Sequence, residues 1–441
     1  MERNNGVRHR AIVMEVLNAA LRAADPYEAV LSALHSRADV QRVADNGRIY
    51  VLGAGKAGAA MSRAAEETLG DRITDGLVIV KDGHGAGAQL RRVELVEASH
   101  PVPDGRGVEA TARLLQIAEQ AGESDLVLCL ISGGGSALLT SPAEGVSLED
   151  VQGITQMLLK SGATINELNA VRKHLSRVSG GLLARAAAPA QVLSLILSDV
   201  TGSPLDVIAS GPTAPDPTTY ADALGVLGRY SLVEKAPRAV VGRLRIGASG
   251  ELPDTPKEGD PLFRRVSNVV VASNVIAVEA AASRASELGL NVQVVSTYVE
   301  GEAREVGVVL AGLAKEMATH SRPVSRPACL LFGGETTVTV RGDGVGGRNT
   351  ELALGAALAL KGWGADLVVA SLATDGGDGS SPSAGAIADG TTIDRGESLG
   401  LGAHDALANN DSYSYWRQLG DAIMTGPTGT NVNDVMATFV F

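Results

Sequence analysis

The stretch RIYVLGAGKAGAAM, Arg48–Met61, decides the fold. An apolar run breaks at Gly53-x-Gly55-x-x-Gly58 and continues into an alanine-rich segment of helical period. Strand, glycine turn and helix in that order form the opening βα unit of a parallel sheet, and this spacing lets a pyrophosphate approach the start of the helix. Lys56 is foreign to a dinucleotide fingerprint. A lysine inside a phosphate cradle supplies a point charge to phosphoryl oxygens. Three readings stay open on this loop alone. A nicotinamide site has support from Asp82, which follows the next strand in LVIVKDG, although the spacing from Gly53 is longer than usual. The second reading is a phosphate site with a cationic clamp, and the third a turn whose glycines only allow close packing.

Outward from this loop, short apolar runs alternate with helix-period segments. RIYVLG, GLVIVK, VELVEA, DLVLCLIS and QVLSLILSD read as strands; GVEATARLLQIAEQAG and LNAVRKHLSRVSGGLLARAA read as helical. Continuous apolar strands alternating with helices predict a parallel sheet covered on both faces. The segment Ala248–Arg265 is rich in proline, glycine and charge and reads as a linker or exposed crossing. A second α/β region follows, with strands VSNVVVASN, NVQVVSTY, ACLLFGG, DLVVASLATD and VMATFVF, and TTVTVRG expected as a hairpin partner of ACLLFGG. The expected division is a Rossmann-like domain over 1–247, the linker 248–265, and a mixed α/β domain over 266–441.

Composition bounds the function. A chain of 441 residues suits two domains, and 45% hydrophobic content suffices for their cores. The net charge of −12 excludes nucleic-acid and anionic-membrane binding as default functions. Cys129 and Cys329 lie in apolar runs and read as buried thiols rather than a disulfide or metal site. The opening MERNNGVRHRAIVMEVLNAALRAA reads as a polar lead and an amphipathic helix, not a secretory signal, and no apolar run reaches membrane-spanning length. A soluble, cytoplasmic protein is expected; a homodimer is allowed.

Further glycine-rich loops follow the strands. In LCLISGGGSALLT, Ser132, Gly133, Gly134, Gly135 and Ser136 form a nest of N–H groups at a helix start, suited to a phosphate or a carboxylate; the G-x-S-x-G elbow of a hydrolase is not met. In LILSDVTGSPLDVIASGPT, Asp199 ends an apolar strand and Asp206 follows; each reads equally as a structural carboxylate, a magnesium ligand or a general base. In LFGGETTVTVRGDGVGGRNTELAL, Gly334 and Glu335 end a strand and Arg348 opens a helix, where a guanidinium can hold a phosphoryl group or a carboxylate bidentately. Asp375 and Asp378 in ATDGGDGS are further metal candidates, and Asn431 in GPTGTNVNDV reads equally as a phosphate contact or as part of a turn. His100 and His174 have no metal partner nearby in sequence, and Arg172, Lys173, His174 and Arg177 read as a charged helix face or as a basic edge over a cleft. The P-loop and protein-kinase signatures are absent.

VLGAGKAGAAM, SHPVPDGRG, CLISGGGSALL, ELNAVRKHLSRVSGGLLA, LSDVTGSPLDVIASGPT, FGGETTVTVRGDGVGGRNTELAL, ATDGGDGSSPSAGA and GPTGTNVNDV occur in this order. Together they resemble the class II glycerate kinases, the glycerate 2-kinase family with a C-terminal MOFRL domain. The resemblance runs over nearly the whole chain and is weakest at Ala248–Arg265. It implies two α/β domains with the active site in the cleft between them, and ATP-dependent phosphorylation of D-glycerate at its 2-hydroxyl with Mg²⁺ or a similar ion. It implies Lys56 and Arg348 as the catalytic pair. Asp199 is then the candidate for activating the hydroxyl or holding the metal, with Asp206, Asp375 and Asp378 as alternative ligands. Gly53, Gly55, Ser132 to Ser136, Gly334, Glu335 and Asn431 are the candidate contacts to substrate or phosphate. The rivals are an NAD(P)-dependent hydroxypyruvate reductase and a non-catalytic protein that binds nucleotides or phosphate esters.

Overall fold

Strand β1 (Ile49–Ala54) is buried along its whole length and pairs in parallel with β2 (Ile73–Lys81) on one side and β4 (Leu126–Ile131) on the other. The computed structural model describes residues 2–37, 40, 47–85 and 87–441. With β3 (Glu94–Ala98), β5 (Gln191–Leu197) and β6 (Val266–Ala272) these strands make one six-stranded sheet of order β3-β2-β1-β4-β5-β6. Strands β1 to β5 are mutually parallel. The chain builds outward from β1 in one direction and then restarts at β4 on the other side. The switch point, where loops diverge and leave a crevice at the strand ends, therefore lies between β1 and β4. The helix Gly58–Leu69 turns Met61, Ala64, Ala65 and Leu69 inward, spacings that fall on one face. The helix Gly105–Ala118 is capped by Asp104, which accepts from the Gly107 amide at 3.1 Å.

The chain divides into two compact units, one of residues Pro26–Val271 and the other of Met1–Asp25 with Ala272–Phe441. This division differs from the expected one at both ends. The helix Glu2–Ala23 belongs with the C-terminal half: Arg10 pairs with Asp389 and Asp421, and Thr430 donates to the carbonyl of Ala24 at 2.6 Å. Its apolar stripe, Val13, Val16, Leu17 and Ala20, is buried as expected, but a stripe does not say which sheet it covers. The segment 248–265 is not a free linker. Thr255 is buried and donates to Asp216 at 2.9 Å, and the segment ends in the 3₁₀ turn Pro261–Arg265.

The second unit holds β7 (Asn291–Val299), β8 (Ala328–Gly334), β9 (Gly364–Ala373), β10 (Gly385–Gly390), β11 (Ala422–Ile423) and β12 (Asp434–Val440), in the order β11-β10-β9-β12-β8-β7. Only the β7–β8 pairing is parallel; the rest are antiparallel. The TTVTVRG segment is not the expected hairpin strand; Thr337 makes one isolated bridge, to Glu302. Thr337 N donates to the Gly301 carbonyl at 2.8 Å, and three later amides go to side-chain oxygens: Thr339 N to Glu302, and Arg341 N and Gly342 N to Asn410 Oδ1 at 2.7 and 3.0 Å. Those acceptors satisfy the backbone that a strand partner would otherwise have satisfied. Cys129 in β4 and Cys329 in β8 are free and buried, and burial pushes both thiols up. Among the described residues no helix is long and apolar enough to cross a membrane.

Candidate active site

The register of β1 with β4, Gly53 opposite Leu130 and Ala54 opposite Ile131, ends the two strands level with each other. Their loops leave side by side and bind one another. Ser132 N donates to Ala54 O at 3.0 Å, Lys56 N to Gly133 O at 2.9 Å, and Ala57 N to Ser132 Oγ at 3.1 Å. Gly55 has φ +140°, and a Cβ there would fall 2.0 Å from Ser132 Oγ, so the interlock requires glycine. Gly53 itself lies inside the strand, which makes it part of the sheet rather than of the loop expected to meet phosphate.

Around this interlock the structure gathers four predicted residues and one that the sequence left aside. A Cβ on Gly133 would lie 2.1 Å from Asp199 Oδ2, so this carboxylate rests directly on the nest. A Cβ on Gly134 would lie 3.1 Å from the His100 ring and 3.5 Å from Lys56 Cγ. Lys56, Gly133, Gly134 and Asp199 thus surround one point with His100. Burial, and then the Lys56 cation, lowers the His100 pKa, leaving a neutral imidazole at pH 7. The Lys56 main chain is held at both ends, its carbonyl 2.9 Å from His84 Nδ1. Its ammonium has no hydrogen bond or ion pair among the described residues. A positioned backbone carrying an unspent cation at a switch point is suited to an incoming anion.

Ser136, at the far end of the nest, meets Ser210 Oγ at 2.9 Å, and Ser210 donates to Asn169 Oδ1 at 3.1 Å. Ala209 and Ser210 have φ of +49° and +59°, a left-handed pair outside glycine. Such strain gathers at functional loops.

Several candidates are placed elsewhere. Asp82 is bound bidentately by Arg106 at 2.7 and 2.9 Å, so the acid expected to hold a ribose is already engaged. Asp206 accepts from Lys173 Nζ at 3.3 Å. That lysine overturns the charged-face reading of its helix. Lys173 and His174 are each 1% exposed; Lys173 also reaches Asp216, and His174 Nε2 lies 2.9 Å from Asp254 Oδ1. These buried pairs fasten the loop around Asp206 and the 248–265 segment to the helix Ile165–His174. Asp375 is exposed and accepts from the nearby Gly377 amide.

In the other unit Arg348 is the first residue of the helix Arg348–Leu360. Asp378 is buried beneath that helix start. It accepts from Asn349 N at 2.9 Å, Thr350 N at 2.8 Å and Thr350 Oγ1 at 2.7 Å. This carboxylate satisfies helix N–H groups that have no partner within the helix and is spent as a cap, not free as a metal ligand. Among the described residues no group of three or more His, Cys, Asp or Glu side chains could hold a metal ion. Arg348 Nε and Nη2 clasp Asp434 at 2.5 and 3.0 Å, and Nη1 meets Glu335 at 2.9 Å. Asp434 was not foreseen. It opens β12, is 1% exposed, and sits opposite Gly334 of β8. Asn431 turns its oxygen back onto the Asn433 amide at 3.0 Å.

Burial pushes the Asp434 carboxyl up to about 6, against the pull of Arg348. Protonation would break the fork, so kcat/KM is expected to fall below about pH 6, and Asp434→Asn should remove that acid limb at the cost of lower activity. The sign for stability is opposite. The unfolded carboxyl titrates near 3.8, so from there to about 6 the folded chain holds a proton that the unfolded chain has lost. That contribution is fully present below the lower value and is lost as pH rises through the upper one. Melting curves of wild type and Asp434→Asn from pH 4 to 7 check it; a pH-rate profile unchanged by the substitution would discard Asp434 as the anchor.

An open parallel sheet with glycine-rich amides and a free lysine at its switch point is the construction of a protein that handles phosphate esters. A family model described as a domain of unknown function (DUF4147) matches residues 12–245, and that of the MOFRL family matches residues 328–434. The chain is 41% identical over 437 residues to the glycerate 2-kinase of Pyrococcus horikoshii, covering 98% of this chain and 97% of that one. It is 43% identical over 432 residues to the D-glycerate 2-kinase of Thermotoga maritima, covering 97% of each. The crystal structure of a glycerate kinase from Thermotoga maritima superimposes with a TM-score of 0.90 at 41% identity, covering 98% of this chain and 100% of that one. The chain belongs to the glycerate kinase family with a C-terminal MOFRL domain.

Proposed function

We propose that this enzyme transfers the γ-phosphoryl group of ATP to the 2-hydroxyl of D-glycerate, giving 2-phosphoglycerate, in the cytoplasm. The observation that carries the reading is the unpaired Lys56 ammonium beside the Gly133–Gly135 amides at the switch point. Phosphoryl transfer asks a protein mainly for positioning and for charge facing the equatorial oxygens. Lys56 supplies one cation. Arg348 supplies the second by keeping its fork on Asp434 and exchanging the half-exposed Glu335 for a phosphoryl oxygen. Asp199, resting on the nest, is the acceptor for the hydroxyl proton. The magnesium of a bound nucleotide needs only one or two protein carboxylates; Asp199, beside the nest, would be the alternative holder of the ion in place of its role as proton acceptor, and the ion would neutralise phosphate charge. A reductase reading has the glycine spacing in its favour, but it loses its ribose acid to Arg106 and leaves Lys56 without a task.

The test is incubation with D-glycerate, ATP and Mg²⁺ in the presence of enolase and the absence of phosphoglycerate mutase. Formation of phosphoenolpyruvate is expected, since enolase takes only 2-phosphoglycerate. ATP consumed without phosphoenolpyruvate would overturn the position of transfer. NADH oxidised on hydroxypyruvate, with ATP untouched, would overturn the kinase.

A further inference from the structure

A cavity of about 570 Å³ opens beside the nest, within the Pro26–Val271 unit. It is several times larger than a three-carbon acid fills and is of the size that takes a nucleoside. Each of its two walls carries an exposed aliphatic side chain among polar neighbours. One is the helix Leu148–Lys160, which carries two stripes. Ile154 and Leu158 enter the core and Val151 packs against it at the cavity edge, whereas Thr155 and Leu159, spaced four apart, face the cavity, with Leu159 58% exposed. The other wall is Val102, between two prolines and also 58% exposed. Gln152 donates to the Pro103 carbonyl at 2.7 Å and ties one wall to the other. Two large aliphatic side chains left in water across a tied slot mark a place where a flat apolar group is missing.

The inner end is polar. Ser136 and Ser210 line it, and both belong to the hydrogen-bonded chain that leads back to the nest. Arg172 lines it too, three residues beyond the Asn169 that accepts from Ser210 and so on the same helical face. Among the described residues the Arg172 guanidinium has no hydrogen bond or ion pair. Burial lowers its pKa with no carboxylate opposing. A half-buried arginine that lines a cavity with no carboxylate against it is placed to take an anion.

We infer that this cavity is the nucleotide site: the purine lies between Val102 and Leu159, and Arg172 takes phosphate oxygens on their way to the Gly133–Gly135 amides and Lys56. The inference rests on the kinase reading and assigns its donor to one unit. Leu159→Asp and Arg172→Ala separate the two ends of the site. Leu159 is surface-exposed and Arg172 has no partner to lose among the described residues, so both variants should fold, which a melting curve checks. ADP affinity by calorimetry should fall at least about tenfold in both. Inhibition by adenosine, which has no phosphate, should fall about tenfold in Leu159→Asp and stay within about twofold in Arg172→Ala. ADP affinity unchanged in both variants, or a rise in KM for D-glycerate alone, would overturn the assignment, the latter giving Arg172 to the acid's carboxylate. If wild type consumes ATP while the variants behave as wild type, only the cavity assignment fails. If wild type neither binds ADP nor consumes ATP, the kinase reading fails with it.

Discussion

Lys56→Ala is expected to melt within about a degree of wild type and to lose turnover by roughly a hundred- to a thousandfold or more, the scale on which single transition-state contacts act. The two halves of this expectation have separate causes. Stability is spared because the ammonium has no ion pair or hydrogen bond to forfeit among the described residues, and the interlock of the two loops runs through the Lys56 main chain, which alanine keeps. Turnover is not spared because Lys56 is the cation locked onto the nest, its amide donating to the Gly133 carbonyl at 2.9 Å. His100 borders Gly134, but burial and Lys56 hold it neutral at pH 7, and removal of the lysine leaves the imidazole just as buried. It cannot substitute as a cation. Single-turnover kinetics at saturating ATP, set beside a melting curve, read both halves. Near-normal turnover would remove Lys56 from the mechanism, and a large loss of stability would make it a structural residue.

What the sequence makes legible follows from how far each feature depends on distant parts of the chain. Strands β1, β4 and β5 can be read because a parallel sheet buried on both faces demands unbroken apolar runs. The glycine loops can be read because backbone approach leaves a residue-type mark in place. Arg348 at its helix start is equally local. Asp434 is not, since its carboxylate meets Arg348 only because β12 inserts between β8 and β9. By itself NVNDVMATFVF looks like a polar turn before a last strand. Lys173 and His174 look like a solvated face because their compensation, by Asp206, Asp216 and Asp254, lies 33 to 80 residues away. The same distance hides the N-terminal helix's allegiance to the C-terminal sheet, and it hides the acceptors from Glu302 and Asn410 that keep Thr337–Gly342 out of a strand.

Arg348→Lys is the sharper test of the second cation, because it keeps the charge and removes the shape. The wild-type guanidinium spends two parallel donors on Asp434 and still offers Nη1 to Glu335. A lysine ammonium can reach Asp434 or an incoming phosphoryl oxygen, but it has no planar fork to hold both at fixed spacing. The buried carboxylate will take the charge, since leaving it uncompensated costs about 3–5 kcal/mol whereas a half-exposed partner such as Glu335 is worth little. The lysine is then pulled onto Asp434 and away from substrate. The fold should survive, with melting close to wild type, while kcat falls at least about a hundredfold and KM for ATP moves much less, the pattern of a contact made chiefly in the transition state. Arg348→Ala should lose stability as well, since Asp434 is left with no partner of opposite charge. Full activity in the lysine variant would mean that a point charge suffices at this position and that the clasp on Asp434 serves the fold alone.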